Sequence, residues 1–199
     1  MQFQPNQVYH TYNQGNHKQI IFNNKNDYLT FLNLFRNVVK PYTSIIAYCL
    51  MPNHFHFILS TDERCNKKIQ QGGLELDAIT NGFRKLLSSY ARIYNSRYNQ
   101  SGSLFRQKTK NKSLSELQKL VSSTDHRDYY FSCFHYIHQN PLKAGLVEKL
   151  EDWEFSSFKD YAGLRNGTLI DKFLATKYCG YIPDQFIKES YEIILPGNF

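Results

Sequence analysis

Hydrophobic positions along the chain alternate with a period of two in some segments and recur with a period near 3.6 in others, which are the spacings of strands and helices. The pattern predicts strands at 8–15, 43–50, 54–60 and 106–114, and helices at 27–39, 76–98 and 125–140. Pro41 and Pro141 are expected to end the first and third helices, because proline cannot donate a backbone hydrogen bond. Asp125 or Asp128 is expected to begin the third helix as its N-cap.

The order strand, helix, strand, strand, helix, strand, helix predicts an α+β fold of the ferredoxin-like type, with helices packed on one face of an antiparallel sheet. At 199 residues the chain suggests one domain, long enough to bury a core without a disulfide or structural metal. We place that domain at 1–165. Residues 166–199 are expected to be an extension of open role, packed on the same domain.

The charge balance points to an anionic partner. The chain has 24 Lys and Arg against 17 Asp and Glu, a net charge of +7, which favours a polyanion such as nucleic acid. The four widely spaced cysteines form neither a zinc-ribbon nor a disulfide pattern. Because the N-terminus lacks a signal-peptide pattern and no window reaches the ~20 apolar residues of a membrane span, we expect a soluble cytoplasmic protein.

Two histidines interrupt the strand HFHFILS. Alternation puts His54, His56 and Ile58 on one face, with the two imidazoles ~7 Å apart along the backbone, a spacing that allows both to bind one divalent metal ion. The alternative is that the two rings only make hydrogen bonds at the sheet surface. A metal site would need a third ligand and a reacting group.

The third predicted helix offers such groups along one stripe, which contains Tyr129, Cys133, Tyr136 and Asn140. Tyr136 is a candidate nucleophile and Asn140 a candidate third ligand. A tyrosine in this aromatic-rich chain is more often core or surface, and asparagine before proline is common at helix ends. With an ordinary pKa near ~10, a nucleophilic phenol also needs activation, and the sequence does not identify its base.

Four blocks of sequence resemble one family. YHTYNQGNHKQIIF (9–22), AYCLMPNHFHFIL (47–59), YARIYNSRYNQSGSLFRQK (90–108) and YIHQNPLKAGLVEKLEDWEFSSFKDYAG (136–163) are similar to the REP-associated tyrosine transposases, a branch of the single-tyrosine HUH transposases. The resemblance covers roughly residues 8–163. The segment 125–134 is less typical, and 166–199 has no recognisable counterpart.

The resemblance implies a ferredoxin-like or RRM-like fold with the HUH motif on a central strand. It implies that His54, His56 and Asn140 bind Mg²⁺ or Mn²⁺ and that Tyr136 is the nucleophile. The reaction would cleave and rejoin single-stranded DNA near hairpins through a 5′-phosphotyrosine intermediate and a free 3′-hydroxyl. A monomer is favoured, with a homodimer as the alternative.

Basic residues supply candidate DNA contacts. In a strand over 106–114, Arg106, Lys108, Lys110 and Lys112 would line one face at ~6.8 Å intervals, either to bind phosphates or to protect an edge strand from aggregation. Lys143, just after the proline, is placed to reach a phosphate near the metal. Arg84, Arg92 and Arg97 on the second helix are weaker candidates.

Three rival functions stay open at this point. One is a rolling-circle replication initiator or relaxase, which shares the HUH chemistry. Another is a catalytically inactive protein that binds DNA hairpins. The third is a metal-binding structural protein.

Overall fold

The computed structural model describes residues 1–120 and 129–192. A four-stranded antiparallel sheet organises this part of the chain, with the strands β1 (Val8–Gln14), β2 (Ser44–Met51), β3 (His54–Ser60) and β6 (Lys110–Ser113) in the order β2-β3-β1-β6. This is the ferredoxin-like order, so the predicted fold class is confirmed. β3 lies between β1 and β2, at the centre of the sheet.

Helices α1 (Lys25–Val38) and α2 (Ala78–Tyr98) cover one face of the sheet. Phe55 and Phe57 point from β3 into this layer, as the alternation predicted. Asn24 begins α1 with a capping box, in which its side chain accepts from the backbone of Asp27 and the Asp27 side chain accepts in return. The two helices approach so closely that a Cβ on Gly82 would lie 2.3 Å from the Val38 carbonyl oxygen, which requires glycine there.

The opposite face of the sheet is also covered, so the helices are not confined to one face. Here α4 (Tyr129–Lys143) packs on the sheet, and Phe134 and Ile137 contribute its apolar stripe. The other helices of the second half are α3 (Leu114–Leu120), α5 (Phe158–Tyr161), α6 (Lys172–Cys179) and α7 (Pro183–Glu192). Phe186 of α7 and Ala175 of α6 belong to the same apolar cluster as Phe134, so the described part of the C-terminal extension packs against α4.

Two strand assignments differ from the sequence prediction. The segment between the predicted strand 54–60 and the predicted helix 76–98, for which no regular element is predicted, contributes to a hairpin of β4 (Lys68–Gln71) and β5 (Leu74–Asp77), joined by Gly72 and Gly73 at positive φ. The strand predicted over 106–114 is reduced to β6, because the continuous pairing with β1 reaches only to Lys110 and is followed on that side by an isolated bridge between Gly15 and Phe105. The predicted start of the third helix at Asp125 or Asp128 lies outside the described residues.

The prediction that Pro141 ends the third helix is wrong. Pro141 lies inside α4, which continues to Lys143. Proline lacks the N–H that would reach the Ile137 carbonyl, but the side-chain amide of Asn140 donates to that oxygen at 3.4 Å. The helix therefore continues past the proline, and the Ile137 carbonyl that lacks its usual backbone donor has a side-chain donor instead.

None of the helices within residues 1–120 and 129–192 is long and apolar enough to cross a membrane. All four cysteines are buried free thiols.

Buried histidines make the fold sensitive to acid. His135 on α4 is buried, its Nδ1 lies 3.0 Å from Ser190 Oγ, and burial lowers its pKa to about 4. Since this folded pKa lies below the unfolded value near 6.5, the stabilisation is fully present above about pH 6.5 and is lost as the pH falls towards 4.

We therefore expect acid to destabilise the native protein more than a variant without this imidazole. From about pH 7.5 to about pH 5.5, its free energy of unfolding should fall by about 1 kcal/mol more than that of His135→Gln. Urea titrations at both pH values measure this difference. Equal losses in the two proteins would contradict it.

Candidate active site

The two strand histidines lie side by side on the face covered by α4. The ring centroids of His54 and His56 are 5.0 Å apart with nearly perpendicular planes. Each ring uses Nδ1 in a hydrogen bond, His54 with Asn53 Oδ1 at 2.6 Å and His56 with His10 Nε2 at 2.9 Å. Metal-binding histidines commonly engage one ring nitrogen in this way, so that the other faces the ion.

Burial keeps both rings neutral. It lowers the pKa of His54 to about 4 and that of His56 well below its usual value, with a further decrease at His56 from His10 and His54. Neutral imidazole is the form that binds metal. The pair is therefore in the protonation state that a metal site needs at neutral pH.

The described ranges contain no group of three or more His, Cys, Asp or Glu side chains placed to hold a metal ion. An ion bound by His54 and His56 would need its remaining ligands from other groups, such as an amide oxygen, water or a substrate phosphate. Two neutral imidazoles can therefore contribute ligands to a divalent cation whose other ligands come from such groups.

Tyr136 of α4 faces the histidines. Its ring lies edge-on to that of His56, with centroids 6.1 Å apart, and its centroid is 6.5 Å from that of His10. The residue is half-buried, and burial, with smaller effects of Cys133 and Tyr12, raises the pKa of its phenol. The helix that packs on the sheet thus brings the predicted nucleophile to the predicted metal ligands.

Asn140 lies one turn after Tyr136 on α4. Its side-chain nitrogen donates to the Ile137 carbonyl, and among the described residues no hydrogen bond joins its side chain to either histidine. The structure therefore places Asn140 on the same helix as Tyr136, without a hydrogen bond to either imidazole. Its role as a ligand stays a prediction.

Three lysines surround this face. Lys143 Nζ lies 5.6 Å from the centre of the Tyr136 ring, a contact that exists because α4 continues past the proline. Lys110 and Lys112 of β6 lie opposite Tyr12 and His10 of β1, and directly opposed residues of an antiparallel pair share a face. Both lysines therefore extend the histidine face to the edge of the sheet.

The other predicted DNA-binding residues lie elsewhere. Arg84, Arg106 and Lys108, with Lys110, line a groove of about 870 Å³ between α2 and the segment that leads to β6. Arg92 is exposed on α2. Arg97 forms an ion pair with the buried carboxylate of Asp27, which gives it a structural partner on α1.

Sequence reasoning missed three members of the site, His10, Tyr12 and Asn53. Tyr12 lies opposite His56 in the β1–β3 register, with ring centroids 5.6 Å apart. A signal existed in the first strand, where alternation puts His10, Tyr12 and Gln14 on one face. The residues that this face meets depend on which strand pairs with β1 and in which register. The alternation of side chains along one strand does not contain that information.

The fold and the site together define a ferredoxin-like α+β domain in which paired strand histidines face a helical tyrosine. No family model matches the chain. A curated Haemophilus influenzae protein named "Putative REP-associated tyrosine transposase" is 26% identical over 141 residues, which are 66% of this chain and 71% of the relative. This relative confirms the resemblance to REP-associated tyrosine transposases that the sequence predicted.

A solved structure supports the fold independently. It is described as the REP-associated tyrosine transposase bound to a REP hairpin, and it is 17% identical to this chain with a TM-score of 0.54. The match covers 86% of this chain and 92% of that chain. The likeness at this identity shows that the two proteins share a fold.

Proposed function

We propose that this protein is a metal-dependent transposase that cleaves and rejoins single-stranded DNA next to hairpins, with Tyr136 as the nucleophile. The observation that carries the proposal is the contact between the Tyr136 ring on α4 and the His56 ring on β3, with His54 beside it. The relative named as a transposase and the solved neighbour bound to a REP hairpin support DNA as the substrate.

The residues divide the chemistry as follows. A divalent cation held by His54, His56 and Asn140 would neutralise charge on the scissile phosphate. Tyr136 Oη attacks phosphorus and loses its proton to solvent water as the Oη–P bond forms, and the departing O3′ takes up a proton from water. The P–O3′ bond breaks, and the products are a 5′-phosphotyrosine and a strand with a free 3′-hydroxyl. The linkage is again a phosphodiester, so a 3′-hydroxyl can reverse the step without ATP.

Lys143 fits a supporting role in this step. Its ammonium group lies close to the Tyr136 ring, and partial burial lowers its pKa. A cation in this position would offset negative charge on the phenolate or on the phosphate that it attacks.

The experiment that tests the proposal uses a hairpin oligonucleotide with a single-stranded flank, labelled at its 3′ end, incubated with Mn²⁺. Attack by Tyr136 leaves the 3′ part of the DNA on the protein, so a labelled band that resists denaturant should appear at the size of the protein plus that fragment. A protein that only binds hairpins would retard the oligonucleotide on a native gel and give no such band.

The lysines of β6 yield a prediction on DNA binding. Each phosphate contact made by a cation steepens the salt dependence of binding by about 0.7 to 0.9 in the slope of log K against log salt. If both lysines contact phosphates, Lys110→Ala with Lys112→Ala should reduce that slope by about 1.4 to 1.8. Fluorescence anisotropy at several salt concentrations measures the slope.

The matched control is Lys188→Ala, which removes an exposed lysine from α7. It should leave the slope unchanged. An unchanged slope in the double variant would show that the β6 lysines serve the sheet edge and do not contact DNA.

A further inference from the structure

His10 occupies a position in the middle of β1 that would suit an apolar side chain. It is fully buried, and Val8 and Ile58 belong to the apolar cluster on the same face. Burying an imidazole costs free energy unless its nitrogens are hydrogen-bonded. Yet His10 Nδ1 has no hydrogen-bond partner among the described residues. The ring therefore makes its one side-chain hydrogen bond through Nε2.

That hydrogen bond joins His10 to a proposed metal ligand. His10 Nε2 lies 2.9 Å from His56 Nδ1, and the two ring planes are inclined by only 23°. A hydrogen bond between two ring nitrogens requires an N–H on one ring and a lone pair on the other, so one ring donates and the other accepts.

The direction of this bond decides whether His56 can bind a metal. If His56 donates from Nδ1, its Nε2 carries a lone pair. If His10 donates instead, the proton of His56 sits on Nε2, which then cannot act as a ligand. His54 has no such ambiguity, because its Nδ1 faces the amide oxygen Asn53 Oδ1, which only accepts.

We propose that His10 is a positioning residue, which accepts the Nδ1–H of His56 and so keeps the Nε2 lone pair of His56 available to the cation. The inference rests on the proposed function, since it assumes that His56 is a ligand. This role accounts for a histidine at a buried position of β1 where an apolar side chain would suffice for packing.

Two variants distinguish the hydrogen-bond acceptor of His10 from the volume that its ring fills. His10→Phe fills the position with a ring that cannot accept, whereas His10→Gln restores a side-chain oxygen. By analogy with other partners of metal-bound histidines, we expect Mn²⁺ affinity to fall about 10- to 100-fold in His10→Phe and less in His10→Gln. Electron paramagnetic resonance of free Mn²⁺ measures this affinity without DNA. His135→Gln, which alters a buried histidine outside the site, should bind Mn²⁺ like the native protein.

A second measurement needs no variant and no metal. Long-range ¹H–¹⁵N correlation spectra of the native protein report which nitrogen of each neutral histidine carries the proton. We expect His56 protonated at Nδ1 and His10 also protonated at Nδ1. Protonation of His56 at Nε2 would overturn the inference even if either variant failed to fold.

The outcomes distinguish this inference from the proposed function. Unchanged Mn²⁺ affinity in a folded His10→Phe variant would overturn the role of His10 and leave the metal site intact. Absence of Mn²⁺ binding to the native protein, or binding unaffected by His56→Gln, would overturn both.

Discussion

Replacing Tyr136 with phenylalanine should abolish the covalent protein–DNA adduct and leave the hairpin bound. The variant retains the ring that lies edge-on to His56 and loses only the phenol oxygen that we propose as the nucleophile. Removing a nucleophile from a site that acts as a unit typically reduces the rate by about 10³-fold or more. The half-buried position and the conserved ring shape should keep the change in stability within about 1 kcal/mol.

The matched control is Tyr130→Phe on the same helix. Tyr130 donates a hydrogen bond to Ser115 Oγ at 3.0 Å and packs near Tyr178. Its variant should form the adduct at the native rate. An adduct that persists in Tyr136→Phe would assign the nucleophile to another residue.

Substitution of either strand histidine should weaken Mn²⁺ binding and reduce adduct formation together. His54→Gln and His56→Gln keep a side chain of similar polarity but lose the imidazole nitrogen. Loss of a direct ligand should weaken Mn²⁺ binding by about 100-fold or more, because loss of a ligand's hydrogen-bonding partner alone typically costs 10- to 100-fold. Adduct formation at a fixed Mn²⁺ concentration should fall in parallel, whereas hairpin binding in a chelator should change little.

Glutamine is preferred to alanine at position 56 because the His56 side chain is buried. Alanine would leave a cavity and would remove the partner of His10, and both effects destabilise the fold. Melting temperatures should accompany the metal titrations. A folded His56→Gln variant with native Mn²⁺ affinity would favour the reading in which these histidines serve only the sheet.

Most of the fold could be predicted from the sequence because helices and strands leave local patterns of hydrophobic residues. Periodicity identified the two long helices and the β2–β3 hairpin, and alternation placed Phe55 and Phe57 opposite the histidines. The β4–β5 hairpin was not predicted because its strands are short and polar, although the Gly72–Gly73 pair between them is a hairpin signal. The start of β6 at Lys110 depends on pairing with β1, which the alternation of charges does not reveal.

The site was predictable only in part, for the same physical reason. His54, His56 and Tyr136 stand out through their own spacing and through resemblance. His10 becomes relevant only once β1 pairs with β3, and Lys143 approaches Tyr136 only because α4 continues through Pro141. Contacts of this kind arise from register and from helix continuation, which a single sequence does not display.

The most direct test of the account is to locate the DNA linkage in the native protein by mass spectrometry. Trypsin should release residues 128–143 as one peptide, which contains Tyr129, Tyr130 and Tyr136. After nuclease digestion of the adduct, fragmentation of that peptide should place the nucleotide on Tyr136. A linkage to any other residue, or no linkage with a cleaved hairpin substrate, would contradict the central claim.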